Sequence, residues 1–274
     1  VKGIANFENA DEFSSYLNRT PDYADTIAVE LFLVDRNKKS GQVDDTKTNS
    51  KSTFTPAEVE RDFDTHIRSE KVEKPSILKA SGNLLFYSSE LRDKTKIVST
   101  SSAGDLNVTA EIPGSGRMLL DEASRNLVTL HNRNLVGYDV DGKPTKKWIS
   151  KLNRTEDTNV VKARMQNGSL YVLLGNRINN REPCPIHPIS VNKKRATVEC
   201  KDIYYPTDPT NIDTIYTVIK LHPGTGKNLG MKSFVGPRAQ TNIYFSSEEV
   251  YITYADRVRG GKITLDFALT RGKD

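Results

Sequence analysis

The sequence predicts an all-β fold, a β-propeller of three blades and part of a fourth, preceded by a short amphipathic helix. The first observation is a motif at a fixed interval: Gly82-Asn83-Leu84-Leu85-Phe86, Arg125-Asn126-Leu127-Val128-Thr129, Gly168-Ser169-Leu170-Tyr171-Val172 and Glu248-Glu249-Val250-Tyr251-Ile252. Its leading apolar residues, Leu84, Leu127, Leu170 and Val250, are spaced by 43, 43 and 80 residues. A period of about 40–45 residues with four strands per unit marks a propeller blade. The second observation is a run of short alternating strands separated by turn dipeptides such as Asp141-Gly142 and Asn167-Gly168. The long third interval holds one period plus an insertion.

Residues 1–35 read as a helix and a strand that pack on the propeller. Phe7, Ala10, Phe13, Tyr16 and Leu17 share one helical face over 7–17. Asn9 is the expected N-cap, with Glu12 its capping-box partner, and Pro21 stops the helix. Ile27 to Asp35 reads as a strand. Residues 36–74 read as a polar linker or loop, within which Thr55-Pro56 is suited to start a short helix.

The blades occupy 75–274. The first takes strands near Ile77-Leu78, Leu84–Tyr87, Lys96–Ser99 and Asn107–Ile112. The second takes Met118–Asp121, Asn126–His131, Leu135–Val140 and an outer strand, Lys147–Leu152, that carries Trp148. The third opens with Val160–Met165 and Leu170–Leu174, is interrupted by the insertion at 176–213, and resumes with Ile215–Leu221 and Leu229–Val235. A fourth begins with Asn242–Phe245, Val250–Tyr254 and Ile263–Leu269. Closed rings have about 4–8 blades, so the ring is expected to be incomplete in this chain. Missing C-terminal sequence, or another chain, would complete it. A first residue Val1 in place of Met points to a processed or trimmed N-terminus.

Composition narrows the setting. Mean hydropathy is −0.57, and no apolar run reaches the ~18 residues of a membrane-spanning helix. Net charge is +5, with short basic clusters at Lys38-Lys39, Lys146-Lys147 and Lys193-Lys194-Arg195. A solvated surface accounts for these; the sharper reading is a basic face meeting an anionic polymer, lipid or glycan. The clusters are not interleaved with aromatic residues, which argues against nucleic acid. Four sequons place candidate N-glycans at Asn18, Asn107, Asn153 and Asn167.

The two cysteines, Cys184 and Cys200, enclose 15 residues. In an oxidising compartment a disulfide would pin the insertion and contribute about 3 kcal/mol. The rivals are a metal site of Cys184, His187 and Cys200, which lacks a fourth ligand at recognisable spacing, and a reactive thiol, for which no base is evident. No metal or cofactor is expected. The four histidines, His66, His131, His187 and His222, read as surface or turn residues. Asp139-Val140-Asp141-Gly142 reads as a tight turn because the later acidic ligands of a calcium loop are missing. Trp148, Tyr138 and Tyr171 fall at alternating strand positions and read as core between blades. In the insertion, five prolines (Pro183, Pro185, Pro188, Pro206 and Pro209) stiffen a segment offering His187, Tyr204 and Tyr205 as binding residues. The bland alternative is that the insertion only caps a blade.

The region from Val160 to Tyr254 resembles the archaeal-type secreted β-propeller domain family, whose propeller is distantly related to WD repeats. The matching stretches are Val161-Lys162-Ala163-Arg164, Pro183-Cys184-Pro185-Ile186, Glu199-Cys200-Lys201-Asp202-Ile203-Tyr204-Tyr205-Pro206, Thr214-Ile215-Tyr216-Thr217-Val218-Ile219-Lys220-Leu221, Thr225-Gly226-Lys227 and Ser233-Phe234-Val235-Gly236. The helix at 7–17 resembles one that precedes this family's propeller. Between 36 and 74 the match thins, and Lys74 and Ser76 stand where the family has acidic residues. The ending Gly272-Lys273-Asp274 resembles a point midway through the family sequence, which implies a truncated chain. The resemblance implies export, a propeller and a cell-surface setting.

The function expected from this reading is an exported, non-enzymatic propeller module, secreted and cell-surface associated, that binds a protein or glycan. The alternative is a propeller-based hydrolase or lyase acting on extracellular polysaccharide or peptide. Inward-facing Asp or Glu residues around a channel mouth would favour the alternative.

Overall fold

A computed structural model describes residues 3–19, 72–101, 104–131, 133–207, 212–238, 241–245, 249–258 and 261–270, the last three by their backbone. The strand expected at 27–35, the loop at 36–55 and the helix start at Thr55 lie outside the described residues, as do Thr20, Pro21 and His66.

The repeat folds as read. Blade 1 is the four-stranded antiparallel sheet β3 (Leu78–Ser81), β4 (Leu84–Ser89), β5 (Lys94–Thr100) and β6 (Leu106–Pro113). Blade 2 begins with β7 (Arg117–Asp121), β8 (Asn126–His131), β9 (Asn134–Asp139) and β10 (Thr145–Leu152). Blade 3 takes β11 (Asn159–Gln166), β12 (Ser169–Arg177), β16 (Thr214–Leu221) and β17 (Asn228–Gly236), and blade 4 takes β18 (Thr241–Phe245), β19 (Glu249–Val258) and β20 (Gly261–Thr270). Leu84, Leu127, Leu170 and Val250 all stand first or second in the second strand of their sheet, each pairing with the last or next-to-last residue of the first: Ser81, Leu120, Met165 and Phe245.

Alternation along the strands stacks the blades. In β7, Met118 and Leu120 pack toward blade 1 with Phe86, Ile97 and Ile112, while Leu119 packs toward blade 3. In β8, Leu127 and Val128 divide in the same way. Successive side chains of a strand point to opposite faces, so one strand serves two cores, and β12 is buried along nearly its whole length.

Trp148 locks blades 2 and 3 together. It is 2% exposed and lies over Gly137, where a Cβ would come 1.9 Å from its Nε1. Its indole N–H donates to Pro223 O at 2.6 Å, in the His222–Gly226 turn of blade 3. Tyr138 and Tyr171 are also buried. The Asp139 turn closes as expected: its Oδ1 accepts from Asp141 N at 3.0 Å, and Lys147 pairs with its carboxylate at 3.2 Å.

The edges hold what the sequence did not reveal. Blade 2 does not end at β10: β13 (Ile186–Val191) and β14 (Lys194–Val198), both from the insertion, extend it to six strands. The rest of the insertion goes to blade 3, where β15 (Ile203–Pro206) pairs parallel to β17, and β1 (Ile4–Asn6) pairs with β15. The insertion therefore extends the outer edges of two neighbouring blades rather than capping one. Inside the expected linker, β2 (Val72–Glu73) pairs with the inner edge of β11; just past the linker, Ser76 bridges Met118 of β7. Val72, Glu73 and Ser76 are thus paired into the sheets, where they satisfy free N–H and C=O groups of two inner edge strands.

The helix α1 runs Ala10–Arg19. Asn9 Oδ1 accepts from Glu12 N at 2.9 Å, as an N-cap does. The Glu12 carboxylate reaches back to Glu8 N, one residue before the partner a capping box would give it. Phe7, expected in the helix, precedes the cap; it is fully buried and stacks between Phe13 and Tyr205 at centroid distances of 3.9 and 4.1 Å.

Candidate functional site

The register places one set of connections at the same end of blades 1–3: the β4–β5 turn, the β6–β7 loop, the β8–β9 turn, the β10–β11 loop and the insertion. A chain of polar contacts crosses this end. In blade 1, Asp93 adopts φ +46° after the 3-10 turn Glu90–Arg92. Its Oδ1 accepts from Ser115 N and Ser115 Oγ, each at 3.1 Å, and lies 3.5 Å from His131 Nε2 of blade 2. Two residues on, the Arg133 guanidinium donates to Thr158 O in the β10–β11 loop. Asn176 of β12, fully buried, donates to Thr158 Oγ1 at 2.6 Å and to Glu156 Oε2 at 3.4 Å. Glu156 in turn accepts from His187 N at 3.0 and 2.8 Å, and its Oε1 lies 3.6 Å from the imidazole Nδ1.

Two buried polar atoms in this chain have no hydrogen-bond partner among the described residues, Arg133 Nε and Asn176 Oδ1. Buried polar groups are ordinarily paired, so these two mark where the network has capacity left. Beside Arg133 lies a groove of about 200 Å³ lined by Leu130, Leu152 and Val160 and by His131, Arg133, Asn134 and Asn159.

Cys184 and Cys200 form a disulfide with a Cα–Cα distance of 5.3 Å, so neither is a metal ligand nor a free thiol. Among the described residues no three His, Cys, Asp or Glu side chains are grouped to hold a metal ion. The other candidates are divided. His187 opens the added strands of blade 2 and is held by Glu156. Tyr204 and Tyr205 lie on β15 in blade 3. The Tyr204 hydroxyl accepts from Lys232 Nζ at 3.1 Å. Tyr205 belongs to the α1 dock, its hydroxyl donating to Glu12 Oε1 at 2.9 Å. Of the sequon asparagines, Asn18, Asn107 and Asn167 are exposed, whereas Asn153 Oδ1 accepts from its own Thr155 at N and Oγ1. Sequence reasoning missed Asp93, Arg133, Glu156 and Asn176. Their only sequence signal is position, since each sits in or beside a connection at this end.

At the inner edge, Glu73 accepts from Leu120 N at 3.0 and 2.9 Å and pairs with Lys79 Nζ at 2.6 Å. Burial raises its carboxyl pKa above the ordinary glutamate value, outweighing the lowering by Lys79 and Leu120. The folded chain thus keeps this proton to higher pH than the unfolded chain. Stability falls as pH rises from the ordinary glutamate range through the raised folded value. Urea unfolding across that window is expected to show the decline in the wild type and to lose it in Glu73→Gln; an equal decline in both would assign it to other groups.

Comparison with known proteins places the chain. A family model described as beta propeller domain matches residues 64–270. An uncharacterized protein of Archaeoglobus fulgidus is 30% identical over 97% of this chain and 44% of its own length. An uncharacterized protein of Methanocaldococcus jannaschii is 25% identical over 80% of this chain and 33% of its own length. The chain therefore spans less than half the length of these relatives. With the repeat, the stacked sheets and this match in agreement, the chain belongs to the beta propeller domain family.

Proposed function

We propose that this chain is an exported, non-enzymatic propeller module that binds a protein or glycan at the cell surface through the loop end of its blades and the insertion. The observation that supports this is how the insertion is held. Its strands are shared between blades 2 and 3. Its disulfide and buried residues Ile178, Ile186, Val198 and Ile203 form one cluster with Phe7, Phe13 and Tyr16. Loops fixed on a rigid scaffold are where binding residues concentrate, and structural disulfides belong to oxidising compartments. In this reading His187 and Tyr204 contact the partner, while Tyr205 holds the helix.

The outer face of blade 1 belongs to the same proposal. Leu78, Tyr87, Leu106 and Val108 are 52, 46, 64 and 54% exposed there, on one face by their register. A further sheet, from C-terminal sequence of a longer chain or from another chain, would cover it and continue the ring.

The test is co-sedimentation with cell-envelope material of the source organism. His187→Ala with Tyr204→Ala is expected to weaken binding by roughly tenfold, as loss of two contact side chains does, while Trp148 emission stays that of the wild type. Full binding by this variant would refute the reading.

A further inference from the structure

Residues paired in antiparallel strands project to the same face. Followed outward from the β8–β9 hairpin, the register of blade 2 gives one row across five strands. His131 lies opposite Asn134, Asn134 opposite Lys151, Lys151 opposite Ser190, and Ser190 opposite Arg195. At about 4.8 Å per strand the row is roughly 19 Å long. Its inner end meets Asp93 of blade 1. Its outer end runs on β13 and β14, beyond the fourth strand, whereas blade 1 stops at its fourth strand.

Lys151 and Arg195 are exposed, as are Lys193 and Lys194 at the hairpin tip. None of these four cations makes an ion pair among the described residues. The tip is fixed rather than loose: Asn192 N donates to Ile149 O at 2.9 Å, and Ile149 N donates to Asn192 Oδ1 at 3.2 Å. The pairing thus carries the Lys193-Lys194-Arg195 cluster, more than forty positions along the chain, to the side of Lys151.

We infer that this row is a binding track for a linear acidic polysaccharide whose carboxylates are spaced along the chain. Lys151 and Arg195 stand two strands apart, roughly 10 Å. Between and beside them, Ser190 and Asn134 offer neutral donors and acceptors suited to sugar hydroxyls. A single-stranded nucleic acid would need aromatic platforms for its bases, and the row contains no Phe, Tyr or Trp, while its one imidazole, His131, is turned to Asp93. A membrane surface would need an apolar face beside the charges, and the row is polar from end to end. The track rests on the proposed surface-binding reading and names its ligand class.

Affinity electrophoresis in polygalacturonate tests it, with dextran, a single-stranded DNA oligonucleotide and phosphatidylglycerol vesicles as comparison probes. The wild type is expected to bind polygalacturonate in a salt-sensitive manner and to ignore dextran. Lys151→Gln with Arg195→Gln should weaken that binding by about tenfold, and Lys227→Gln, an exposed lysine at the opposite end of blade 3, should leave it unchanged. Failure to bind, equal weakening by Lys227→Gln, or tighter binding to DNA or vesicles overturns the track. The envelope co-sedimentation assay separates the two readings: full sedimentation of the Lys151→Gln, Arg195→Gln variant overturns the track and leaves the surface-binding module standing.

Discussion

Gly137→Val is expected to part blades 2 and 3. The site has no room for a side chain, because even a single carbon would lie 1.9 Å from Trp148 Nε1. Gly226 also packs against the indole, where an added Cβ would be 2.7 Å from the ring. Moving the ring breaks its bond to Pro223 O. Overpacking a tight core costs about 1–3 kcal/mol, and a buried donor left unpaired adds about 1–3 kcal/mol. A loss of about 2–6 kcal/mol follows from these together. Trp148 is the chain's one tryptophan, so its emission reports the event directly. The variant should emit to the red of the wild type and unfold at lower denaturant. Gly230→Ala, where nothing stands within 4 Å, is the control and should stay within about 0.5 kcal/mol. A Gly137→Val protein with the wild-type midpoint would contradict the packing described.

Removing the disulfide should have the second largest effect. Cys184→Ser with Cys200→Ser releases a loop of 16 residues' separation, which by loop entropy costs about 3 kcal/mol. The damage is expected to spread to the N-terminus, because Cys184 and Cys200 pack in the cluster that seats Phe7, Phe13 and Tyr16. Limited proteolysis should then cut within the insertion and release the α1 segment, and a reducing agent should reproduce this in the wild type. A reduced protein with an unchanged midpoint and cutting pattern would show that the cluster holds the insertion without the covalent link.

The blade pattern was legible because it is local. Neighbouring strands joined by short turns fix each other's register, and consecutive apolar residues such as Leu127 and Val128 declare both faces of a strand as buried. The insertion's path was not legible. Which edge β13 joins depends on free N–H and C=O groups along β10, and side chains carry little of that information. The strands β1 and β2 are too short to show any period. The start of α1 illustrates competing signals: Phe7 keeps helical spacing with Phe13, yet the Asn9 cap begins the helix after it. The polar chain at the loop end was hidden for a different reason. Arg133, Glu156 and Asn176 sit far apart in sequence and meet only once blades 2 and 3 are stacked.

The pairing of Ile4 with Pro206 also bears on how the chain is made. A ribosome adds about 5–20 residues per second, so β1 and the aromatic face of α1 wait on the order of 10–40 s for their partner strand to be translated. During that interval Phe7, Phe13 and Tyr16 have no native surface to join. A nascent chain of this kind offers a greasy handle to whatever chaperone meets it first.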